Sequence, residues 1–136
     1  MSSLLVARRA DLLRAAAVLL AAVTVSACAT AMRAGQRAER ARDYDRAVVE
    51  YSRAARENSD DANARAALHR ARLRASQEHF ARGRRLAALE RYEEAVVELQ
   101  LAVELNPTDA LAEAELKEAR QRLRTKLAVS REGRTE

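Results

Sequence analysis

The sequence predicts an all-α fold, and three observations lead to that prediction. The 136 residues include only three glycines and one proline, which is too few for the turns of a sheet protein. There is no tryptophan and there are only three tyrosines and one phenylalanine, whereas strands favour aromatic side chains. Apolar residues also recur at helical spacing, as at Ala64, Leu68, Ala71 and Ala75. We therefore expect closely packed, alanine-rich helices.

The N-terminal segment has the layout of an export signal. Arg8, Arg9 and Arg14 precede an uncharged and mainly apolar stretch, Ala15–Val25, and two small residues follow that stretch. A basic start, a short apolar core and a small-residue cleavage site are typical of a signal peptide. The longer, alanine-rich apolar stretch over residues 15–32 is borderline for a membrane span, which needs about 20 residues. We predict a signal peptide over residues 1–27.

Cys28 is the only cysteine in the chain. The tetrapeptide Val25-Ser26-Ala27-Cys28 resembles the bacterial lipobox, and the resemblance implies cleavage before Cys28 and lipid attachment to its thiol. Several acyl chains anchor a protein far more firmly than one. Ala29, in place of an aspartate, favours the periplasmic face of the outer membrane over the inner membrane by the enterobacterial sorting pattern. An ordinary signal peptide, or an uncleaved anchor with an incidental cysteine, is the alternative.

Two segments align with each other without gaps, Gly35–Asp61 and Gly83–Asp109, and ten of their 27 positions are identical. Internal similarity at a fixed period indicates a repeat architecture. The pattern resembles the tetratricopeptide repeat (TPR), a helix–turn–helix unit. In such a unit small residues let two helices approach closely, an aromatic residue fills the space beside the turn, and proline ends a helix. The resemblance assigns these packing roles to Gly35, Tyr44, Ala47, Tyr51, Ala54, Gly83, Tyr92, Ala95, Leu99, Ala102 and Pro107.

The resemblance implies a TPR-like α-solenoid of antiparallel hairpins with a long connecting helix and a C-terminal capping helix. We favour one continuous helix from about residue 61 to residue 90, with a break near Ser76 as the alternative. The expected organisation is a helical domain over 28–128, with repeats at about 28–61 and 76–109, an insert helix at 62–75, a capping helix at 109–127 and a disordered tail or linker at 129–136.

Residues that would carry catalysis or bind a metal are not evident in the sequence. His69 and His79 lie apart, without clustered cysteines or carboxylates, so we expect surface or packing roles for them. No nucleophile-and-base arrangement, phosphate loop or zinc spacing occurs. The net charge is +5, and basic and acidic residues are interspersed along the chain rather than forming one basic patch. The basic run His69–Arg74 lacks aromatic residues. We predict no enzyme activity, no small-molecule substrate, no nucleic-acid partner and no cofactor except the lipid on Cys28.

The predicted function is that of a membrane-tethered module that binds another protein of the bacterial envelope. The TPR resemblance implies a partner groove lined by the first helix of each repeat, at Gln36, Arg40, Gln77, Phe80 and Arg84. Simple solvent exposure is the alternative for these residues. Arginines in such a groove suit an acidic or C-terminal carboxylate ligand.

The order of signal, repeat, long helix, repeat and basic last helix also resembles the N-terminal region of some bacterial secretins. Those are outer-membrane channels of type II secretion and type IV pilus systems. This resemblance implies a part in, or assistance to, a secretin, pilus or secretion assembly. A structural scaffold subunit of the envelope that associates with itself is the alternative function.

Overall fold

The computed structural model describes residues 30–132, and within that range it contains helices and no strand. The all-α prediction is confirmed. The signal peptide predicted over 1–27 and Cys28 lie outside the described residues. The described residues form five helices, α1 over 30–40, α2 over Tyr44–Glu57, α3 over Ala62–Ala88, α4 over Tyr92–Leu105 and α5 over Ala110–Glu132.

The chain divides into two compact units, one up to Leu68 and one from His69 onward. The first unit contains α1, α2 and the start of α3, and the second contains the rest of α3 with α4 and α5. Helix α3 runs without interruption through Ser76, so the favoured continuous helix is observed rather than a break. Ser76 is buried, and its hydroxyl donates to the carbonyl oxygen of Ala102 at 2.8 Å. This hydrogen bond joins α3 to α4.

The joint between α1 and α2 recurs between α3 and α4. Arg42 and Glu90 both adopt left-handed backbone, with φ of 58° and 57°. In each joint the next amide donates to a carbonyl of the preceding helix, from Asp43 to Ala38 and from Arg91 to Leu86. These bonds form a Schellman motif, which normally places glycine at the left-handed position. The internal repeat therefore extends to the details of the backbone.

Both hairpins bring their helices together at a buried glycine. A Cβ atom built on Gly35 would lie 2.6 Å from Cδ1 of Tyr51, and one built on Gly83 would lie 2.6 Å from Cγ of Leu99. Such distances are too short for real carbon atoms. The close approach of α1 to α2, and of α3 to α4, therefore requires glycine at these two positions.

The second helix of each hairpin ends on an asparagine and is followed by an aspartate cap. The amides of Asn58 and Asn106 donate to the carbonyls of Ala54 and Ala102. Oδ1 of Asp61 accepts from the amides at the start of α3, and Oδ1 of Asp109 does the same for α5. Aspartate is among the preferred N-cap residues because its carboxylate satisfies free amides.

The remaining packing residues that the sequence singled out lie at these interfaces with two exceptions. Tyr44 is half-buried, and Pro107 is exposed in the turn after α4. The buried ones include Ala47, Tyr51 and Ala54 in the first unit, and Tyr92, Ala95, Leu99 and Ala102 in the second. In the second unit Leu99, Leu116 and Ala119 form a core cluster against which Phe80, Val96 and Val103 pack.

Helix α5 is longer than the sequence predicted. A disordered tail was expected from Val129, but the helix continues to Glu132. The first residue that strongly disfavours helix is Gly133, and no proline or glycine interrupts the chain between Pro107 and that position. Residues 133–136 lie outside the described range. None of the helices within residues 30–132 combines the length and the apolar content required to cross a lipid bilayer.

Candidate interaction surfaces

The predicted groove residues fall in different units. Gln36 and Arg40 lie on α1 in the first unit, and both are exposed. Gln77, Phe80 and Arg84 lie on α3 in the second unit, where Gln77 and Arg84 are exposed and Phe80 is half-buried. The structure brings together the last three, on one side of α3.

Phe80 and Arg84 form a small preorganised group with α5. The guanidinium carbon of Arg84 lies 5.7 Å from the centre of the Phe80 ring, a distance typical of a cation–π contact. The Nε atom of Arg84 also lies 3.5 Å from Oε1 of Glu115. Phe80 packs on the core cluster of the second unit as well. The ring therefore has a packing role, and Arg84 is the member of the group that faces solvent.

A partly buried polar cluster joins α3 to α4, and the sequence did not reveal it. His79 is only 5% exposed, and its Nδ1 atom lies 2.8 Å from Oε2 of Glu98. The same oxygen accepts from Nε of Arg82 at 2.9 Å. Nη2 of Arg82 also lies 2.8 Å from Nδ1 of His79. One ring nitrogen cannot both donate to a carboxylate and accept from a guanidinium, so we assign the proton of Nδ1 to the bond with Glu98.

Two opposing effects act on the Glu98 carboxyl. Burial raises its pKa, but the hydrogen bonds from His79 and Arg82 and the positive charge of Arg82 outweigh burial and hold the pKa below its usual value. Glu98 is therefore ionised at neutral pH, and the cluster works as an ion pair between helices. His69, in contrast, is exposed.

A cleft of about 780 Å³ lies beside Tyr92, between the start of α4 and residues 114–126 of α5. Nζ of Lys126 lies 5.7 Å from the centre of the Tyr92 ring and donates to the carbonyl oxygen of Glu90 at 2.9 Å. On the other wall Arg122 pairs with Glu118 at 2.7 Å. Charged side chains line this cleft, but each of these cations already has a partner within the unit.

The charges of the second hairpin are divided between its helices. Helix α3 contains seven arginines and one acidic residue, whereas α4 contains four glutamates and no basic residue. Across the described residues no three His, Cys, Asp or Glu side chains lie close enough together to hold a metal ion.

Comparison with known proteins finds no matching family model, no matching curated protein and no matching solved structure.

Proposed function

We propose that this chain is a lipid-anchored, TPR-like module of the bacterial envelope that docks another protein. The observation that carries the proposal is the recurrence of one hairpin joint in both repeats, with left-handed Arg42 and Glu90 and buried Gly35 and Gly83 at matching positions. Repeated helical hairpins bury one side of each helix and leave other sides free, and proteins of that architecture use the free sides to bind partners.

The tether is proposed from the lipobox-like sequence that ends in Cys28. The described part of α1 begins at Thr30, so only Ala29 separates the proposed lipid from a helical residue. A linker of that length keeps the helical region at the membrane surface. Anchoring at a surface also raises the effective concentration of a docking module for a partner in the same membrane.

The docking residues proposed are those that point to solvent from the first helix of each hairpin. Gln36 and Arg40 serve this role on α1, and Gln77 and Arg84 on α3. Arg84 is held in place by Glu115 and the Phe80 ring, which lowers the entropy that its guanidinium loses on binding. The resemblance to secretin N-terminal regions makes secretins and their assembly factors the first partners to look for.

The tether and the docking are tested separately. Mass spectrometry of the chain expressed in a bacterial host should show a polypeptide that begins at Cys28 and carries fatty acids. An intact Met1, or a Cys28 thiol without fatty acid, would contradict the proposed lipid anchor.

For docking, the lipidated chain serves as bait in solubilised envelopes, with chemical cross-linking. The double variant Arg40→Gln/Arg84→Gln should recover at least about fivefold less of a cross-linked partner, because arginine contacts are frequent hot spots. The variant Arg56→Gln/Arg72→Gln, which removes the same charge from other exposed positions, should recover as much as the unaltered chain. Equal recovery by all three proteins would contradict the assignment of the docking residues. Recovery of only the chain itself would favour the self-associating scaffold.

A further inference from the structure

The side of α3 opposite to its buried residues carries exposed arginines. Ala71, Ala75, His79 and Gly83 are buried on the inner side of the helix. At 100° per residue the arginines of the outer side lie within an arc of about 100°. All four are exposed, and we name them the arginine face: Arg70, Arg74, Arg84 and Arg85.

The second unit does not neutralise this face. Arg70, Arg74 and Arg85 make no ion pair with any residue in the part of the chain that the structure describes. Glu78 is the only acidic residue of α3, and its carboxylate lies 3.6 Å from Arg82 instead. Three of the four guanidinium groups are therefore left to water.

Other arginines of the same unit form ion pairs with carboxylates. Arg82 pairs with Glu98, and Arg122 with Glu118. Arginine matches a carboxylate with two parallel hydrogen bonds, which gives such pairs both strength and orientation. We propose that the arginine face is the docking site of an acidic polypeptide segment in the partner. This inference rests on the proposed docking function and specifies the chemistry of the partner.

The residues between the arginines favour a polypeptide over a membrane surface. A helix that lies on a bilayer inserts bulky apolar side chains beside its basic ones. On this face the intervening exposed positions are Gln77, Ala81 and Ala88, which offer an amide and two methyl groups. An acidic segment can lie flat along these small residues while its carboxylates reach the guanidinium groups.

A second copy of the chain is a weaker candidate. Helix α4 offers the exposed acidic residues Glu93, Glu94 and Glu104, but Val97 is the only exposed large apolar side chain on that helix. Stable protein interfaces bury about 1,600 Å² with an apolar centre, and exposed ion pairs add little by themselves. The two charged faces alone do not supply such an interface.

The spacing of the arginines specifies the partner further. Arg70 and Arg74 form one pair and Arg84 and Arg85 another, and the centres of the pairs are about 12 residues or about 18 Å apart along the helix. A fitting segment carries two groups of carboxylates at a similar separation.

The experiment uses the full chain in a neutral detergent and a fluorescent, alanine-based helical peptide with two pairs of glutamates, placed at the same separation as the two arginine pairs. Binding is measured by anisotropy at low and high salt. The quadruple variant Arg70→Gln/Arg74→Gln/Arg84→Gln/Arg85→Gln should bind the peptide at least about tenfold more weakly. Each exposed ion pair contributes only modestly, but the variant removes four of them together. The control Arg56→Gln/Arg72→Gln/Lys117→Gln/Arg124→Gln loses the same charge and should bind within about threefold of the unaltered chain. Circular dichroism verifies that both variants fold.

A second peptide with the same four glutamates in one block should bind less tightly than the spaced peptide. Equal weakening in both quadruple variants would overturn the proposal, because net charge and not the face would then set the affinity. Face-dependent binding to vesicles of anionic phospholipid, without binding to either peptide, would overturn it in favour of a membrane. Self-association abolished only by the face variant would overturn it in favour of a second copy. If the lipidated chain still captured a partner after such a result, docking would stand and only the acidic partner would be lost.

Discussion

The α1–α2 and α3–α4 hairpins share a backbone joint but hold their helices together with different polar contacts. In α1–α2 the hydroxyl of Tyr51 donates to Oε2 of Glu39 at 2.7 Å. The equivalent positions of the second repeat hold Leu99 and Ala87, which cannot form that bond.

The α3–α4 hairpin uses the His79–Glu98–Arg82 cluster instead. Its counterpart of Glu98 in the first hairpin is Glu50, but alanines occupy the positions that match His79 and Arg82. Oε2 of Glu50 lies 3.3 Å from Nη2 of Arg53 on the same helix. This oxygen is buried and accepts no hydrogen bond. The glycine and the left-handed turn therefore determine the joint, whereas the polar contacts across it are interchangeable.

The largest expected effect comes from filling the glycine contact. Gly83→Val should lower the free energy of unfolding by about 3 kcal/mol, because the added carbons overlap Leu99, including its backbone nitrogen at 3.2 Å from the first carbon. Urea denaturation followed by circular dichroism measures the change. Ala81→Val, at an exposed position of the same helix, is the matched control and should cost less than about 1 kcal/mol. Similar losses for the two variants would mean that the close approach is not required.

The second-largest expected effect concerns the polar contacts that differ between the two hairpins. Glu98→Ala should cost about 2 kcal/mol because it removes the carboxylate that bonds to both the buried His79 and Arg82. Glu50→Ala should cost under about 1 kcal/mol, since its partner Arg53 lies on the same helix and is partly exposed. Denaturation of both variants gives the two values. If the cost of Glu50→Ala equalled that of Glu98→Ala, the hairpins would not differ in this way.

The same cluster predicts an acid dependence of stability. The folded-state pKa of Glu98 lies below its usual value, so its contribution is present at neutral pH and is lost as the pH falls below roughly 4 and through that pKa. The urea midpoint should therefore decrease on acidification, and it should decrease less in Glu98→Gln. The difference between the two proteins at each pH is the quantity to measure. Parallel curves for both proteins throughout the acidic range would be inconsistent with this account.

The smallest effect is a gain. Glu90→Gly and Arg42→Gly should each stabilise the chain by up to about 1 kcal/mol, because glycine adopts left-handed backbone without the steric cost of a Cβ atom. Equal gains would show that the two joints are energetically alike, as their φ values suggest. The backbone carbonyl of Glu90 that accepts from Lys126 is retained in the glycine variant. A loss of stability in either variant would indicate that its side chain makes a contact that outweighs the strain.

The helices and the repeat could be predicted from the sequence because both depend on local patterns. The pairs Gly35/Gly83 and Asn58/Asn106 recur at a constant offset, and the structure places them at equivalent contacts and ends. The long α3 could also be predicted, since its sequence contains no proline and only one glycine.

The contacts across helices could not be predicted. His79 and Glu98 are far apart in the sequence and lie on different helices, and their meeting depends on the register of α3 against α4. His79 continues the buried stripe of Ala71 and Ala75 at a spacing of four, whereas His69 falls outside that stripe and is exposed. A second local signal was Glu98 at the end of the apolar run Ala95-Val96-Val97, where a carboxylate on a partly buried helix needs a partner.

The interior of both units is made chiefly of methyl groups, since 12 of the 16 buried apolar residues of the described chain are alanines. Side chains of that size expose little additional apolar surface to water when the helices separate. The heat capacity of the chain should therefore increase only slightly on unfolding, and its stability should vary gently with temperature, without the steep decline on cooling that large apolar cores produce.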